Sequence, residues 1–518
     1  MTSSCRIGFL SLAITGLLAA PASALTQDQI DQCVNKGSVF SMALQAEACT
    51  AAMQSGRWSG KDLAWAYRNR GGAYLGKGDY DLSVADSDEA IRLDPKSAVA
   101  FANRGGAYLY KGDNDRAIAD VNEAIRLDPK MAVAYSTRGG AYLYKADYDR
   151  AIADTTTAIG LDPKFAWAYA NRAGAYFAKA DNDRAIADSN EAIGINPKIS
   201  VAYINRVGAY LNKGDYDHAG ADFDEAIRLE PKNARAYINR AGLYSRKGDN
   251  GRAIADYDEA IRLDPKLAMT FFGRGLAYSR KGDNDRAIAD YSEALRLDPK
   301  YLVAYTSRGG AFLGKGDNDR AIADYNEALR LDPKNARAFF NRGSAWLGLG
   351  DNNRAIVDYN ESIRLDPKYA YVYRSRGLAN LYSGALPKAL ADLTQASALD
   401  PKNAYTALWL DIVSKRSGLS GQLAEAAKQI DMTKWPAAVI RLHLGQMTQD
   451  AVLAAADDPD PATKKGQVCE ANFYGSAWTL QQGAKTDAIR LLRQAAADCP
   501  KAFIEYGAAV AELKGLGQ

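Results

Sequence analysis

Cysteine and histidine are scarce in this 518-residue sequence, which contains five of the first and two of the second. No two cysteines stand in Cys-x-x-Cys spacing, so the pattern of a structural zinc site is missing. Neither histidine belongs to a recognisable arrangement with a nucleophile. We therefore expect no catalytic residue, no metal site and no cofactor, and we predict that the protein is not an enzyme.

The sequence also lacks an excess of charge of one sign. Its 65 basic and 62 acidic residues leave a net charge of +3. Such a balance gives no electrostatic bias toward nucleic acid or an anionic membrane. Outside the N-terminus no stretch approaches eighteen consecutive apolar residues, so we expect no integral membrane span once a signal is removed.

The N-terminus has the features of an export signal. Arg6 precedes an apolar run at residues 7–20, and Ala22-Ser23-Ala24 supplies the small residues that signal peptidase reads. We expect residues 1–24 to be a cleaved signal peptide, with the mature chain starting at Leu25 in the periplasm. A retained membrane anchor is the alternative. Because Cys5 lies before the apolar run, we expect no lipid attachment.

The four cysteines outside the signal form two local pairs. Cys33 and Cys49 lie near the start of the mature chain, while Cys469 and Cys499 lie near its end. We predict a disulfide within each pair, as an oxidising compartment permits. The first would bracket a helical turnaround, where the chain reverses in the N-terminal cap. The second would join a residue that starts one helix to a residue that ends the next.

The most regular feature is a proline at every 34th residue. A 34-residue period predicts an all-α solenoid of two-helix hairpins, each of which buries its apolar face against its neighbours. The prolines are Pro95, Pro129, Pro163, Pro197, Pro231, Pro265, Pro299, Pro333, Pro367 and Pro401.

One period, residues 98–131, illustrates the hairpin. Phe101 and Tyr108 lie on one face of a first helix, which we call helix A. The segment 111–115, Lys-Gly-Asp-Asn-Asp, supplies a turn and a cap for a second helix, helix B. Helix B ends before Pro129, which has no amide proton and restricts the residue before it.

These residues resemble the tetratricopeptide repeat, with an aromatic residue, glycine and tyrosine on helix A and alanines, an aromatic residue and proline on helix B. We expect residues 25–63 to form a helical N-terminal cap and residues 64–403 to form ten repeats. Residues 404–518 should form a C-terminal helical region that ends in a repeat-like hairpin. The resemblance implies a surface that binds proteins or peptides.

An arginine and an aspartate recur sixteen residues apart in every repeat. We predict that each arginine bridges to an aspartate, across its own hairpin or in the adjacent repeat, with bidentate geometry. The alternative is a row of arginines exposed to an acidic ligand. The arginines are Arg70, Arg104, Arg138, Arg172, Arg206, Arg240, Arg274, Arg308, Arg342 and Arg376.

Five places on helix A face the concave side in tetratricopeptide geometry. Counted from Ala64 and its equivalents they are places 2, 5, 9, 12 and 13, and seven of the ten repeats have glycine at place 9. The earlier repeats are apolar and small there, which suits an extended or helical segment. The later repeats place arginines among aromatic residues, which suits an acidic partner with apolar groups. In the alternative interpretation, the glycines relieve crowding and the aromatic residues pack between repeats. The candidate partner-binding residues are Tyr110, Tyr144, Trp167, Phe177, Arg235, Arg246, Phe272, Arg280, Arg337, Phe340, Tyr371 and Arg374.

The C-terminal region carries a second resemblance. Its segments 434–440 (KWPAAVI), 444–445 (LG) and 470–475 (EANFYG) resemble the C-terminal part of the NlpI-like lipoprotein family. That resemblance implies an envelope protein that scaffolds cell-wall hydrolases or presents substrates to a periplasmic protease.

The function that fits these observations is a periplasmic scaffold or adaptor, a monomer or small homo-oligomer, that binds proteins or peptides of the bacterial cell envelope. Two alternatives stay open: a structural component of an envelope export or polysaccharide assembly machine, and an enzyme. The two histidines give the enzyme little support, because His218 replaces an arginine of other repeats and His443 lies in an apolar helix.

Overall fold

A computed structural model describes residues 25–36, 39–501 and 503–518. The predicted signal peptide, residues 1–24, lies outside the described residues. Within them every regular element is helical and no strand occurs. No helix in this part of the chain combines the length and the apolar character that crossing a bilayer requires.

The helices follow the 34-residue period. The N-terminal helices are α1 (Gln27–Cys33) and α2 (Met42–Gln54). The A helices of the repeats are α3 (Ala64–Lys77), α5 (Ala98–Tyr110), α7 (Ala132–Tyr144), α9 (Ala166–Ala178), α11 (Ser200–Lys213), α13 (Ala234–Arg246), α15 (Ala268–Arg280), α17 (Leu302–Gly314), α19 (Ala336–Gly348) and α21 (Ala370–Tyr382). The B helices are α4 (Tyr80–Leu93), α6 (Asn114–Leu127), α8 (Tyr148–Leu161), α10 (Asn182–Ile195), α12 (Tyr216–Leu229), α14 (Asn250–Leu263), α16 (Asn284–Leu297), α18 (Asn318–Leu331), α20 (Asn352–Leu365) and α22 (Leu386–Leu399). The C-terminal helices are α23 (Ala404–Arg416), α24 (Leu423–Ala426), α25 (Ala437–His443), α26 (Gln449–Ala455), α27 (Pro461–Gln481), α28 (Lys485–Asp498) and α29 (Ile504–Gly515).

The predicted turn chemistry sets the ends of these helices. In the second repeat Gly112 has φ +82°, which glycine adopts without steric cost, and it ends helix A. Asp113 then caps helix B by accepting a hydrogen bond from the backbone amide of Arg116. Leu127 is the last residue of that helix, two positions before Pro129. The hairpin therefore forms as the sequence predicts.

The chain divides into two compact units. The first ends at Lys232 and the second begins at Asn233. The first unit thus contains the N-terminal helices and repeats one to five. The second contains repeats six to ten and the C-terminal helices.

The recurring arginine and aspartate form one ion pair in every repeat. In the fifth repeat Arg206 donates from Nε to Asp222 Oδ2 at 2.8 Å and from Nη2 to Asp222 Oδ1 at 2.6 Å. Its third nitrogen, Nη1, donates to Asn190 Oδ1 of the preceding repeat at 2.5 Å. The predicted ladder is confirmed within each hairpin, and Arg104 and Arg274 also bridge to an aspartate of the preceding repeat. The aspartates are Asp86, Asp120, Asp154, Asp188, Asp222, Asp256, Asp290, Asp324, Asp358 and Asp392.

The two units differ in how their A helices pack. In the first unit neighbouring A helices pack closely on each other, whereas in the second unit they approach each other less closely. The residue at place 24, on helix B, also differs between the two units. It is Ser87, Val121, Thr155, Ser189 and Phe223 in the first unit, and Tyr257, Tyr291, Tyr325, Tyr359 and Leu393 in the second.

The tyrosines at place 24 fill space beneath helix A. A Cβ atom added to Gly275 would lie 2.8 Å from the ring of Tyr291, which shows how closely that ring approaches helix A. The hydroxyl of Tyr359 reaches the hydroxyl of Ser344, on helix A, at 3.3 Å. Four of the five first-unit residues at place 24 are much smaller than tyrosine, with Phe223 as the exception, and the A helices of that unit pack closely on each other.

The C-terminal helices share one apolar core. Trp409 of α23 packs on Phe473 and Tyr474 of α27, with ring centroids 5.3 and 5.8 Å apart. Helix α23 starts 34 residues after α21, so it keeps the register for one further helix A. The repeat pattern then ends, because α24 has only four residues.

Both predicted cysteine pairs lie at disulfide distance. The sulfur atoms of Cys33 and Cys49 are 2.08 Å apart, and those of Cys469 and Cys499 are 2.00 Å apart. One detail of the expectation was wrong. Cys469 lies in the middle of α27, which begins eight residues earlier at Pro461, where a proline suits the first turn.

Candidate functional site

The five places on helix A, here called the helix-A face, are partly exposed in the first unit. At place 2 the exposed fractions are 42% for Val99, 47% for Val133, 43% for Trp167 and 36% for Val201. At place 13 they are 53% for Tyr110 and 73% for Tyr144. Consecutive repeats therefore present large apolar side chains to solvent from equivalent places.

The glycines at place 9 of the first unit serve packing. A Cβ atom added to Gly208 would lie 2.6 Å from the ring of Phe177 in the preceding repeat. Similarly, a Cβ on Gly106 would approach Leu75, at place 12 of the repeat before, to 3.0 Å. In repeats two to five the place 9 glycine thus receives the place 12 side chain of the preceding repeat. Phe177 is one of those side chains, so it lies half-buried between helices rather than free on the surface.

Two further candidates also support the packing. Phe272 packs on Tyr291 and Tyr301, with ring centroids 5.7 and 5.0 Å apart. Phe340 has the same surroundings two repeats later, with Tyr359 at 6.0 Å and Tyr369 at 5.2 Å. The interpretation of aromatic residues that pack between repeats therefore describes Phe272 and Phe340. Tyr371 differs, because 47% of its surface is exposed.

Most arginines of the repeats have a carboxylate partner, and the exceptions share one location. Besides the ladder, helix B carries pairs three residues apart, such as Glu259 with Arg262 at 2.5 Å. Among the described residues no carboxylate forms a salt bridge with the exceptions, which all lie at places 2, 5 or 13 of helix A. They are Arg68, Arg235, Arg246, Arg280, Arg337 and Arg374.

These exceptions differ in exposure. Arg235, Arg246, Arg280 and Arg337 are exposed. Arg374 is partly buried; it donates from Nη1 to Asn403 Oδ1 at 3.2 Å and lies over the ring of Tyr371 at 5.2 Å. Four of the five arginine candidates therefore offer an exposed positive charge, whereas Arg374 belongs to the packing around the tenth repeat.

The exposed row also includes residues that the sequence candidates omitted. Met269 and Val303, at place 2 of the seventh and eighth repeats, are 55% and 45% exposed. Their signal was available, because they occupy the same place as Trp167 and Tyr371. An aliphatic residue at this place is less distinctive in the sequence than an aromatic or charged one.

The two histidines have different surroundings in the described part of the chain. His218 Nδ1 lies 2.7 Å from Asp215 Oδ2, and its ring stacks on Tyr210. Arg116 makes the equivalent contacts in the second repeat, with Asp113 and over the ring of Tyr108. His443 is buried, with Nε2 3.1 Å from the carbonyl oxygen of Tyr474. Within the described residues no cluster of His, Cys, Asp and Glu has the composition of a metal site.

A buried polar cluster lies in the C-terminal region. Glu470 accepts hydrogen bonds from the Tyr405 hydroxyl at 2.9 Å and from Trp435 Nε1 at 2.5 Å. Burial, and then the negative charge of Glu505, raise the pKa of Glu470 to about 7. Glu505 accepts from the Tyr474 hydroxyl at 3.0 Å, and burial raises its pKa as well. The cluster joins α23, α27 and α29, and both of its carboxylates have partners.

Comparison with known families matches the array. Models described as tetratricopeptide repeats match residues 68–132, 168–199, 206–268, 268–301 and 336–369, and a model described as a TPR repeat matches residues 309–350. The chain is thus a tetratricopeptide repeat protein. The matches end at residue 369, so the resemblance of the C-terminal region to the NlpI-like family stays a prediction. A comparison with curated proteins gives no match.

Several solved structures contain chains similar to this one. YrrB, a tetratricopeptide protein with an unusual peptide-binding site, is 26% identical over 36% of this chain and 95% of its own, with a TM-score of 0.33. Cut9, in the APC/C hetero-tetramer Cut9–Hcn1, is 17% identical over 76% and 96%, with a TM-score of 0.39. A tetratricopeptide protein from Parabacteroides merdae is 20% identical over 48% and 98%, with a TM-score of 0.35.

Proposed function

We propose that the protein is a periplasmic adaptor that binds partner proteins or peptides along the helix-A face of its repeats. One observation carries the proposal: the unpaired arginines and the row of exposed apolar residues occupy the same few places on helix A. Since the other arginines of the repeats all pair with a carboxylate, this surface is where a complementary partner gains most from binding.

The exposed residues of each unit suit a bound segment of different composition. The first unit offers exposed Val99, Val133, Trp167 and Tyr144, so we infer that it takes an apolar segment. At place 2 of the second unit two cationic residues, Arg235 and Arg337, flank the apolar Met269 and Val303. There we infer a segment with acidic residues beside apolar ones.

The proposed compartment follows from the cysteines and the N-terminal pattern. Two cysteine pairs at disulfide distance suit an oxidising environment, in which the bonds would persist. The signal-like residues 1–24 would direct the chain there. Cell-wall hydrolases or a periplasmic protease are the partners that the resemblance of the C-terminal region implies, and we propose a monomer or small homo-oligomer as the working form.

The test is affinity capture by residues 25–518 from crosslinked envelope extract, with mass spectrometry of the retained proteins. A variant carrying Tyr144→Ser and Trp167→Ser removes two exposed aromatic residues from the helix-A face. We expect this variant to lose at least one set of envelope proteins that the unchanged chain retains.

A matched control removes exposed apolar residues elsewhere. Leu82 and Val357, 51% and 66% exposed, lie on B helices. A variant carrying Leu82→Ser and Val357→Ser should retain the same proteins as the unchanged chain. Equal retention by all three chains, or equal loss in both variants, would contradict binding along the helix-A face.

A further inference from the structure

The last helix of the chain reaches an A helix of the second unit. Helix α29 packs on α28 and α27 and also contacts α19, the A helix of the ninth repeat. Just before α29, Lys501 lies beside Gly316 at the end of the eighth A helix, 3.5 Å from a Cβ placed on that glycine. The segment from Lys501 to the end of α29 thus lies beside the A helices of more than one repeat.

One face of α29 is buried, and its composition is distinctive. Glu505, Ala508 and Ala509 are 7%, 1% and 0% exposed, and the Glu512 side chain is 14% exposed. These residues stand at positions i, i+3, i+4 and i+7, which is one face of a helix. The face therefore has two alanines, which permit close approach of the backbone, between glutamates two turns apart.

Both glutamates lie near arginines of A helices. Arg416, the last residue of α23, donates from Nη1 to Glu512 Oε1 at 2.7 Å. The positive charge of Arg374 acts on Glu505, and the charges of Glu512 and Glu505 both act on the partly buried Tyr382. In the register of the repeats Arg416 and Tyr382 occupy place 13, and Arg374 occupies place 5. At this end of the second unit the helix-A face is thus covered by an acidic helix of the same chain.

Two earlier repeats of this unit present the same cation at the same place without an acidic helix. Arg246 and Arg280, at place 13 of the sixth and seventh repeats, are exposed and have no salt-bridging carboxylate in the described part of the chain. Arg280 Nη1 donates to the carbonyl oxygen of Ser245, the residue before Arg246, at 3.3 Å. The two places therefore present positive charge from neighbouring repeats, which an anionic partner would complement.

We propose that the helix-A face of the sixth and seventh repeats binds an amphipathic α-helix of a partner protein, whose glutamates pair with Arg246 and Arg280 as Glu512 pairs with Arg416. The partner helix carries small residues between its glutamates, in the pattern Glu-x-x-Ala-Ala-x-x-Glu of α29. This inference rests on the proposed adaptor function and names the chemistry and the conformation of the bound segment.

A peptide with the sequence of residues 503–516 provides the probe. A side-chain crosslink between positions 510 and 514, both exposed in α29, holds it helical, and fluorescence anisotropy measures its binding to residues 25–518. We expect charge reversal by Arg246→Glu and Arg280→Glu to weaken binding by about tenfold or more, the effect of losing roughly 1.4 kcal/mol. Replacing both peptide glutamates with glutamine should have a similar effect.

The control reverses two arginines that already have partners. Arg262 and Arg296, on B helices, form salt bridges with Glu259 and Glu293, each three residues earlier in the chain. Arg262→Glu with Arg296→Glu changes the net charge by the same amount and should leave the affinity within about twofold, since it removes no charge from the helix-A face. Circular dichroism should show all variants folded.

Three outcomes would overturn the inference. The peptide could fail to bind, or a proline-containing, non-helical peptide of the same composition could bind equally well. Binding could also ignore Arg246 and Arg280 but increase with Arg416→Gln, which would place the peptide at the position that α29 occupies. If the Tyr144 and Trp167 variant still loses its envelope partners, the adaptor function stands and only the helical acidic partner fails.

Discussion

The Arg206 guanidinium holds the Asp222 carboxylate with two hydrogen bonds and Asn190 of the preceding repeat with a third. Asp222 is 5% exposed, so Arg206→Ala leaves a buried carboxylate without its partner. We expect the free energy of unfolding to fall by about 3 kcal/mol. Hydrogen exchange should show the loss of protection centred on α11 and α12.

A surface pair in the same repeat provides the control. Arg228 pairs with Glu225 three residues earlier, and its side chain is 65% exposed. Exposed pairs of this kind contribute little, so Arg228→Ala should leave the exchange pattern unchanged. An equal effect of both substitutions would show that lost charge, rather than the buried bridge, weakens the array.

Gly208 contacts the ring of Phe177 so closely that a methyl group has no room. In an ordinary helix interior Gly→Ala stabilises by about 0.5–1 kcal/mol. Here we expect Gly208→Ala to destabilise by about 1–3 kcal/mol, because the ring or the helix must shift. Urea unfolding measures the difference, and Phe177→Leu in the same chain should recover part of it.

Gly160 supplies the comparison. It lies near the end of α8, and a Cβ atom added to it meets no described atom within 4 Å. Gly160→Ala should therefore stabilise by roughly 0.5 kcal/mol, the sign expected from helix propensity alone. If Gly208→Ala also stabilises, the close approach of neighbouring A helices is not tight enough to exclude a side chain.

The predicted bond between Cys469 and Cys499 would close a loop across α27 and α28. The two residues are 30 positions apart, and closing such a loop restricts the unfolded chain by about 3–4 kcal/mol. We expect Cys469→Ser with Cys499→Ser to lower the stability of the C-terminal helices by this order. Reduction of the unchanged protein should reproduce the loss, and alkylation without reductant should label none of the four cysteines.

The raised pKa of Glu470 gives stability a definite pH dependence. Burial and the charge of Glu505 raise the pKa from its ordinary 4.5 to about 7 in the folded protein. Between these values the folded chain binds more protons than the unfolded chain, so stability decreases as pH rises through this window. At about 1.4 kcal/mol per pKa unit, the free energy of unfolding decreases by roughly 3 kcal/mol across this window.

Substitution of Glu470 isolates this contribution. In Glu470→Gln the group cannot ionise, so the variant should gain stability relative to the unchanged protein as pH rises from 5 to 8. Urea unfolding of both chains at the two pH values provides the measurement. The groups that face Glu470 are Tyr405, Trp435, Tyr474 and Glu505, and none of them changes in the variant. A constant difference between the chains across this range would show that Glu470 ionises normally.

The repeats can be predicted from the sequence because each 34-residue period contains the residues that begin and end its own two helices. Gly112, Asp113 and Pro129 fix the limits of a hairpin locally, and the period repeats them ten times. Arg206 and Asp222 could also be paired from their constant offset. The partner of the third guanidinium nitrogen, Nη1, could not be predicted, because the residue type differs between repeats. It is Asn190 in one repeat, Asp258 in another and Ser292 in a third.

The candidate binding face was harder to predict, because exposure depends on neighbours beyond one period. Phe177, Phe272 and Phe340 occupy face positions, yet each packs against a side chain or glycine of another helix. Arg374 is likewise engaged near α29, more than a hundred residues later in the chain. No periodic signal marks α29, and its approach to the A helices depends on the tertiary packing of the C-terminal core.

The tyrosines at place 24 limit which repeats can substitute for one another. A repeat with Ser189 at that place fits beside neighbours whose A helices lie close together, whereas a repeat with Tyr291 needs the wider spacing of its own unit. Duplication or deletion of a whole repeat should therefore be tolerated inside each unit more readily than exchange between units. We therefore expect the side chain at place 24 of helix B to constrain where the number of repeats can change.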